Sequence, residues 1–218
     1  MSARPPLRVL LADDHVTVRH GLRLLIEGEQ DMTVVGEASD GAVVVKLALE
    51  CRPDVVVMDV SMPGVNGLVA TRMLKKALPG VAVVTLTRHA DDAYLQELLR
   101  AGASAYVLKQ SPPAELLQAI RSTTTGAGKY VDSSLIPRVT ARFAEEKISG
   151  ASGTITDRET EVLRLIACGY SNKEIASQLD LSVKTVEAHK ANAMRKLDLS
   201  GRIDIVKYAI LQGWLRDV

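Results

Sequence analysis

Five short apolar runs divide the first 125 residues of this 218-residue chain: Leu7 to Ala12, Thr33 to Ala38, Val55 to Met58, Val81 to Leu86 and Ala105 to Leu108. They are rich in Val and Leu and bounded by charged or turn residues, as strands buried on both faces of a parallel sheet are. Amphipathic stretches separate them: Val16 to Glu27, Ala42 to Cys51, Leu68 to Ala77 and Ala93 to Ala101, with Ala114 to Arg121 after the last run. Parallel neighbours need a crossover of a dozen or more residues, usually a helix. The alternation therefore predicts an α/β, doubly wound domain of five parallel strands.

After about Val131 the strand pattern stops. Ser133 to Glu146 has helical spacing, and Lys147 to Gly153 reads Lys-Ile-Ser-Gly-Ala-Ser-Gly, a flexible composition. The segment beyond is helical throughout. Thr156-x-x-Glu159 and Ser171-x-x-Glu174 are capping boxes that mark two helix starts. The expected organisation is a first domain over 1–125, a linker over 126–153 with a helix near 133–146, and a small all-α domain over 154–218.

Ligands of an open doubly wound sheet bind outside the carboxyl ends of the strands, where the strand order reverses. The first run ends in Asp13-Asp14, the third in Asp59, the fourth near Thr87 and the fifth in Lys109. In the flavodoxin-like order 2-1-3-4-5, strands 1 and 3 are neighbours at that point, so Asp13, Asp14 and Asp59 come together. Three carboxylates in one crevice repel unless a cation joins them. Mg2+ fits, because it takes one or two carboxylates and keeps water and phosphate oxygens as its other ligands. A carboxylate beside it can attack phosphorus to give an aspartyl phosphate. Thr87 and Lys109 then offer a hydroxyl and a point positive charge to phosphoryl oxygens.

Leu10-Leu11-Ala12-Asp13-Asp14-His15, Met58-Asp59-Val60-Ser61-Met62-Pro63-Gly64-Val65-Asn66-Gly67, Leu86-Thr87 and Tyr106-Val107-Leu108-Lys109 resemble the receiver domain of bacterial two-component response regulators. The resemblance implies that a sensor histidine kinase phosphorylates Asp59. It implies that Asp13, Asp14, Asp59 and the backbone carbonyl of Ser61 hold Mg2+. Thr87 matches the switch hydroxyl, Tyr106 the aromatic that repacks with it, and Lys109 the phosphate-binding lysine. Ala105 stands where many relatives have Gly, and Gln110 where other branches have Pro; neither change removes a chemical group from the pocket. Ser61 and His89 match positions that flank the path of the hydrolytic water, although His89 reads equally well as an ordinary exposed histidine.

In the last domain, Ser171 to Leu179 reads as a short capped helix, Asp180-Leu181-Ser182 as a tight turn, and Ser182 as the cap of a second helix reaching about Leu197. Two helices across such a turn form a helix-turn-helix, whose second helix enters the major groove. Val183, Val186, Met194 and Leu197 have the spacing of a buried stripe. Residues 182–207 carry 6 basic side chains against 3 acidic ones, whereas 151–181 carry 3 against 5. That local charge is a modest phosphate-binding footprint; by itself it reads equally as a solvated amphipathic helix. Ile155-Thr156-Asp157-Arg158-Glu159, Gly169 to Ala176 and Lys184-Thr185-Val186-Glu187-Ala188-His189 resemble the LuxR-type DNA-binding domain. With the receiver, the whole chain is similar to NarL/FixJ-type transcriptional regulators. The resemblance implies that Glu187, Ala188 and Ala191 face base edges with Asn192 nearby, that Lys173, Lys184, Thr185 and Arg195 are better placed for phosphates, and that Ser182 belongs to the same DNA-binding set. It also implies that the last helix, with Ile203, Val206, Ile210 and Leu211 or Trp214, serves as a pairing surface besides being core.

The expected partners are thus a sensor histidine kinase, double-stranded DNA with an inverted-repeat operator, a second copy of the chain when phosphorylated, and RNA polymerase. Composition agrees. Lys plus Arg is 27 against 26 Asp plus Glu, which argues against uniform coating by nucleic acid. One Trp, five Tyr and one Phe are too few for stacking single strands. Two distant cysteines, no apolar run of membrane-span length and no secretory h-region lead to an expected cytoplasmic location. Two other readings have distinct signatures. An aspartyl-phosphate phosphatase would turn over small phosphate esters, with His89 as its nearby acid or base, and a protein-only binding module would show no salt-sensitive DNA affinity. Gly126-Ala127-Gly128-Lys129 lacks phosphate-loop spacing.

Overall fold

All the strand pairings are parallel, in the order β2-β1-β3-β4-β5-β6. The strands are β1 (Leu7–Ala12), β2 (Met32–Ala38), β3 (Val55–Asp59), β4 (Ala82–Thr87), β5 (Ala105–Leu108) and β6 (Tyr130–Val131). The helices of this unit are α1 (Val16–Glu27), α2 (Gly41–Cys51), α3 (Gly67–Ala77), α4 (Asp92–Arg100) and α5 (Pro113–Thr124). This computed structural model describes residues 5–88, 92–124, 129–136, 155–197 and 199–215.

Side chains alternate across each strand, and the sheet is apolar on both faces. Val9 and Leu11 of β1 join Val55 and Val57 of β3 in a core closed by Ile26 of α1 and by Leu116, Ala119 and Ile120 of α5. Leu10 and Ala12 join Val56 and Met58 in a second core closed by Val44 and Ala48 of α2 and by Ala70 and Leu74 of α3. Asp40 and Asn66 cap α2 and α3, each accepting from a backbone amide in the first turn.

The sixth strand extends the expected five. Ala105 pairs with Tyr130 and Tyr106 with Val131. Two residues are too short to carry a periodic signal, so this strand is silent in the sequence. It brings residues 129–136, expected to be linker, into the first unit. Ser133–Leu135 is one turn of 3-10 helix capped by Asp132; the rest of the helix expected near 133–146 lies outside the described residues from 137 onward.

The second unit holds α6 (Asp157–Ala167), α7 (Asn172–Gln178), α8 (Val183–Leu197) and α9 (Arg202–Leu211). Both capping boxes form, at Thr156 with Glu159 and at Ser171 with Glu174. Asp180 turns the chain between α7 and α8 at φ 53°, a left-handed conformation that Asp tolerates better than most residues. Ser182 Oγ accepts from Thr185 N at 3.0 Å, the expected cap of α8. Val162, Leu163, Ile175, Val186, Ala193 and Ile205 form the core. The buried stripe of α8 differs from expectation at one end. Val183, in the first turn, is exposed, and Ala193 is fully buried. No helix among the described residues is long and apolar enough to cross a membrane.

Candidate functional site

Strand register assembles the pocket. Ala12 pairs with Met58, so Asp13 and Asp59 follow side by side at the carboxyl edge. Asp59 pairs with Leu86, and Thr87 with Leu108, so Thr87 and Lys109 come next along the same edge. Thr87 O accepts from Lys109 N at 2.8 Å.

Asp13 and Asp59 are almost completely buried. Lys109 Nζ lies 2.6 Å from Asp13 Oδ2 and 2.8 Å from Asp59 Oδ2. Asp13 Oδ1 also accepts from His15 N at 2.8 Å, and Asp59 Oδ1 from Ser61 N at 3.1 Å. Asp59 Oδ2 is engaged by the Lys109 ammonium as an ion pair and accepts no hydrogen bond from the described residues. A buried carboxylate oxygen held by an ion pair and no hydrogen bond keeps acceptor capacity for another electrophilic partner. Candidate ligand atoms of Asp13, Asp14, His15 and Asp59 lie within 4.8 Å of one another. Hard carboxylate oxygens at this spacing fit a divalent cation of the magnesium type.

Thr87 and Tyr106 are both fully buried, at the end of β4 and in β5. His89 lies outside the described residues. Three side chains reach the pocket or its rim without having been assigned a role from the sequence. Arg19 Nη1 donates to Asp13 O at 2.6 Å while its Nε bonds Glu37. His15 Nδ1 lies 2.7 Å from Asp14 Oδ1, and its Nε2 lies 3.2 Å from Arg88 Nη2. His15 thus bridges Asp14 and Arg88 at the rim of the pocket. Adjacency to Asp14 was the available signal for His15; Arg88 is reached only through the fold.

In the second unit most of the residues expected to meet DNA are exposed. Lys184, Glu187, Ala188, Ala191, Asn192 and Arg195 are exposed on α8, at the three- and four-residue spacings of one helix face. Lys173 on α7 and Ser182 are exposed too, and Thr185 is half-buried with its hydroxyl 2.8 Å from Ser182 Oγ. Arg195 donates to Asn192 Oδ1 at 3.1 Å. Two basic residues counted in this stretch are engaged inside the unit. Lys196 pairs with buried Glu159 at 2.8 Å, and Arg202 donates to Ile166 O at 3.2 Å. On α9, Ile203 and Ile210 are exposed seven residues apart, while Ile205 and Leu211 are buried.

Residues 9–121 match the response regulator receiver domain family, and residues 153–209 match the bacterial regulatory proteins, luxR family. The chain therefore belongs to the two-component response regulators that join a receiver to a LuxR-type DNA-binding domain. It is 41% identical over 211 residues to the oxygen regulatory protein NreC of Staphylococcus haemolyticus, covering 94% of this chain and 97% of that protein. The NreC of Staphylococcus carnosus is 38% identical over the same shares of the two chains. Among solved structures, RcsB of Salmonella enterica serovar Typhimurium, bound to promoter P1flhDC with the phosphomimetic BeF3-, matches with TM-score 0.75 and 30% identity, covering 94% of this chain and 98% of that one.

Proposed function

We propose that this regulator is switched by phosphorylation of Asp59 and that its second unit binds an operator as a dimer. The observation that carries the reading is Asp59 itself: nearly fully buried, beside two further aspartates, with Oδ2 ion-paired to Lys109 at 2.8 Å. The donor is the phosphohistidine of a sensor kinase. An Asp59 carboxylate oxygen attacks phosphorus, the phosphorus–nitrogen bond breaks, and the leaving imidazole nitrogen keeps the electron pair and takes a proton.

Asp13, Asp14 and Asp59 hold Mg2+, with the Ser61 carbonyl completing the protein ligands. A magnesium ion held there would supply positive charge to the phosphoryl oxygens. Lys109 turns from Asp13 toward the new phosphoryl group. The Thr87 hydroxyl follows it, and Tyr106 repacks beside the vacated space. Two arrangements of β4 and β5 form the bistable element that the phosphoryl group biases.

In the second unit, α8 enters the major groove. Lys173, Ser182, Lys184, Thr185 and Arg195 meet phosphates and set the register. Glu187 accepts from a cytosine amino group, Ala188 and Ala191 approach thymine methyls, and Asn192 reads a neighbouring base. The exposed Ile203 and Ile210 stripe of α9 pairs two units over half-sites of an inverted repeat. RNA polymerase is the downstream partner, and the cytoplasm the site of action. The organisation follows: receiver 1–125 supplemented by residues 129–136, the remaining linker to 153, and the DNA-binding domain 154–218.

The test is DNA affinity with and without a small acyl phosphate and Mg2+. Phosphodonor should tighten binding by wild type and leave Asp59→Asn unchanged. Equal tightening in Asp59→Asn would overturn the mechanism.

A further inference from the structure

Asp132 is a buried carboxylate that the pocket described above does not use. It lies beyond the receiver family match, which ends at residue 121, yet it is 1% exposed and packed against β5. Its backbone N donates to Tyr106 O at 2.9 Å. Its Oδ2 accepts from Leu108 N at 3.2 Å and from Ser111 Oγ at 2.5 Å. Its Oδ1 accepts from Ser134 N at 3.0 Å and Ser134 Oγ at 2.6 Å. One oxygen thus clamps both sides of the turn that carries Lys109. Thr87 O fixes the Lys109 backbone from the other direction, and the lysine side chain spans the pocket to Asp13 and Asp59.

We infer that Asp132 is a positioning residue for the phosphorylation chemistry: it holds the Leu108–Ser111 turn so that Lys109 Nζ stays aimed at Asp59. This inference rests on the reading of Asp59 as phosphoacceptor. Burial pushes the Asp132 pKa up, but the Ser111 and Ser134 hydroxyls and the Leu108 and Ser134 amides outweigh it and hold the group below the usual carboxylate range. A charged acceptor facing four donors makes stronger bonds than a neutral one. Residues 129–136 are therefore part of the pocket's support. A second clasp, from Tyr130 OH and Ser133 Oγ to Glu115 on α5, keeps the segment in place.

Asparagine at 132 keeps the shape but must turn its NH2 against the Leu108 and Ser111 donors or against Ser134. The experiment measures the rate of phosphoryl incorporation from acetyl phosphate by intact mass, on the full chain with Mg2+. The variants are Asp132→Asn, Ser111→Ala, Lys109→Ala and the double variant Asp132→Asn with Lys109→Ala. Loss of a supporting hydrogen bond behind a functional side chain commonly costs about tenfold, the drop expected for Asp132→Asn. Ser111→Ala, which removes one bond and leaves the charge, should fall by a smaller factor and serves if Asp132→Asn does not fold. In the Lys109→Ala background, Asp132→Asn should have no further effect, a coupling that a purely structural role would not produce. Wild-type rates in folded Asp132→Asn and Ser111→Ala, or an undiminished effect in the Lys109→Ala background, would overturn the positioning role alone. No phosphoryl group on wild type would overturn the phosphoacceptor reading and this inference with it.

Discussion

Replacing Asp59 by asparagine should stabilise the first unit when no divalent metal is present. Lys109 Nζ lies 2.8 Å from Asp59 Oδ2. At an effective dielectric constant of about 20, losing the charge forfeits roughly 6 kcal/mol of attraction. Candidate ligand atoms of Asp13, Asp14 and Asp59 lie within 4.8 Å of one another. The same change therefore relieves at least about 3.5 kcal/mol of repulsion from each of the two neighbours. The relieved repulsion thus matches or exceeds the lost attraction. What remains is desolvation of a carboxylate that is 1% exposed, a cost of several kcal/mol per buried ion. The replacing amide would still offer an acceptor to Ser61 N, but a weaker one. The net expectation is a gain of about 2 kcal/mol, or roughly 6 °C in Tm for a unit of this size. Urea unfolding followed by far-UV circular dichroism in EDTA measures it. The sole tryptophan, Trp214, packs on Tyr208 in the second unit and reports that unit separately by fluorescence. Mg2+ should then raise wild type by about 2.7 kcal/mol at 100 times its dissociation constant and raise the variant less. If Asp59→Asn is less stable than wild type in EDTA, the pocket is not held under excess negative charge and the reasoning fails.

Three further outcomes are expected. A Cβ at Gly67 would stand 2.1 Å from Asp59 O and 2.8 Å from Val60 Cα, so Gly67→Ala should lose about 3 kcal/mol or more of first-unit stability, read from its urea midpoint. Burial pushes the Glu159 pKa up, but Lys196 and the Thr156 amide hold it below the ordinary range; its stabilisation is complete above about pH 4.3 and is lost as pH falls further, so Trp214 fluorescence should show the second unit weakening there in wild type and less so in Glu159→Gln. Arg195→Ala should weaken binding to any duplex DNA and lower the slope of log affinity against log salt by about 1, measured by fluorescence anisotropy across a salt series.

The first unit was legible because its strands are long enough, and apolar enough, to stand out as runs. The pocket was legible for the same reason: Asp13, Asp59, Thr87 and Lys109 sit at run ends, and one choice of strand order brings them together. What escaped the sequence depends on contacts between distant residues. Tyr130–Val131 is too short to show a period, and it becomes a strand only because β5 offers an open edge. Asp132 looks like a loop aspartate until Leu108 and Ser111 are folded onto it. In the second unit, the capping boxes announced two helix starts correctly, but size misled the reading of α8. Val183 is large and exposed, whereas Ala193 is small and buried. Lys196 counted as a phosphate-binding charge until the fold paired it with Glu159 across 37 residues of sequence.

The most direct test of the account is an intact-mass time course with Mg2+ and a small acyl phosphate, on wild type and Asp59→Asn side by side. One stoichiometric phosphoryl group is expected on wild type and none on the variant. A phosphoryl group on both proteins, or on neither, would contradict Asp59 as the acceptor.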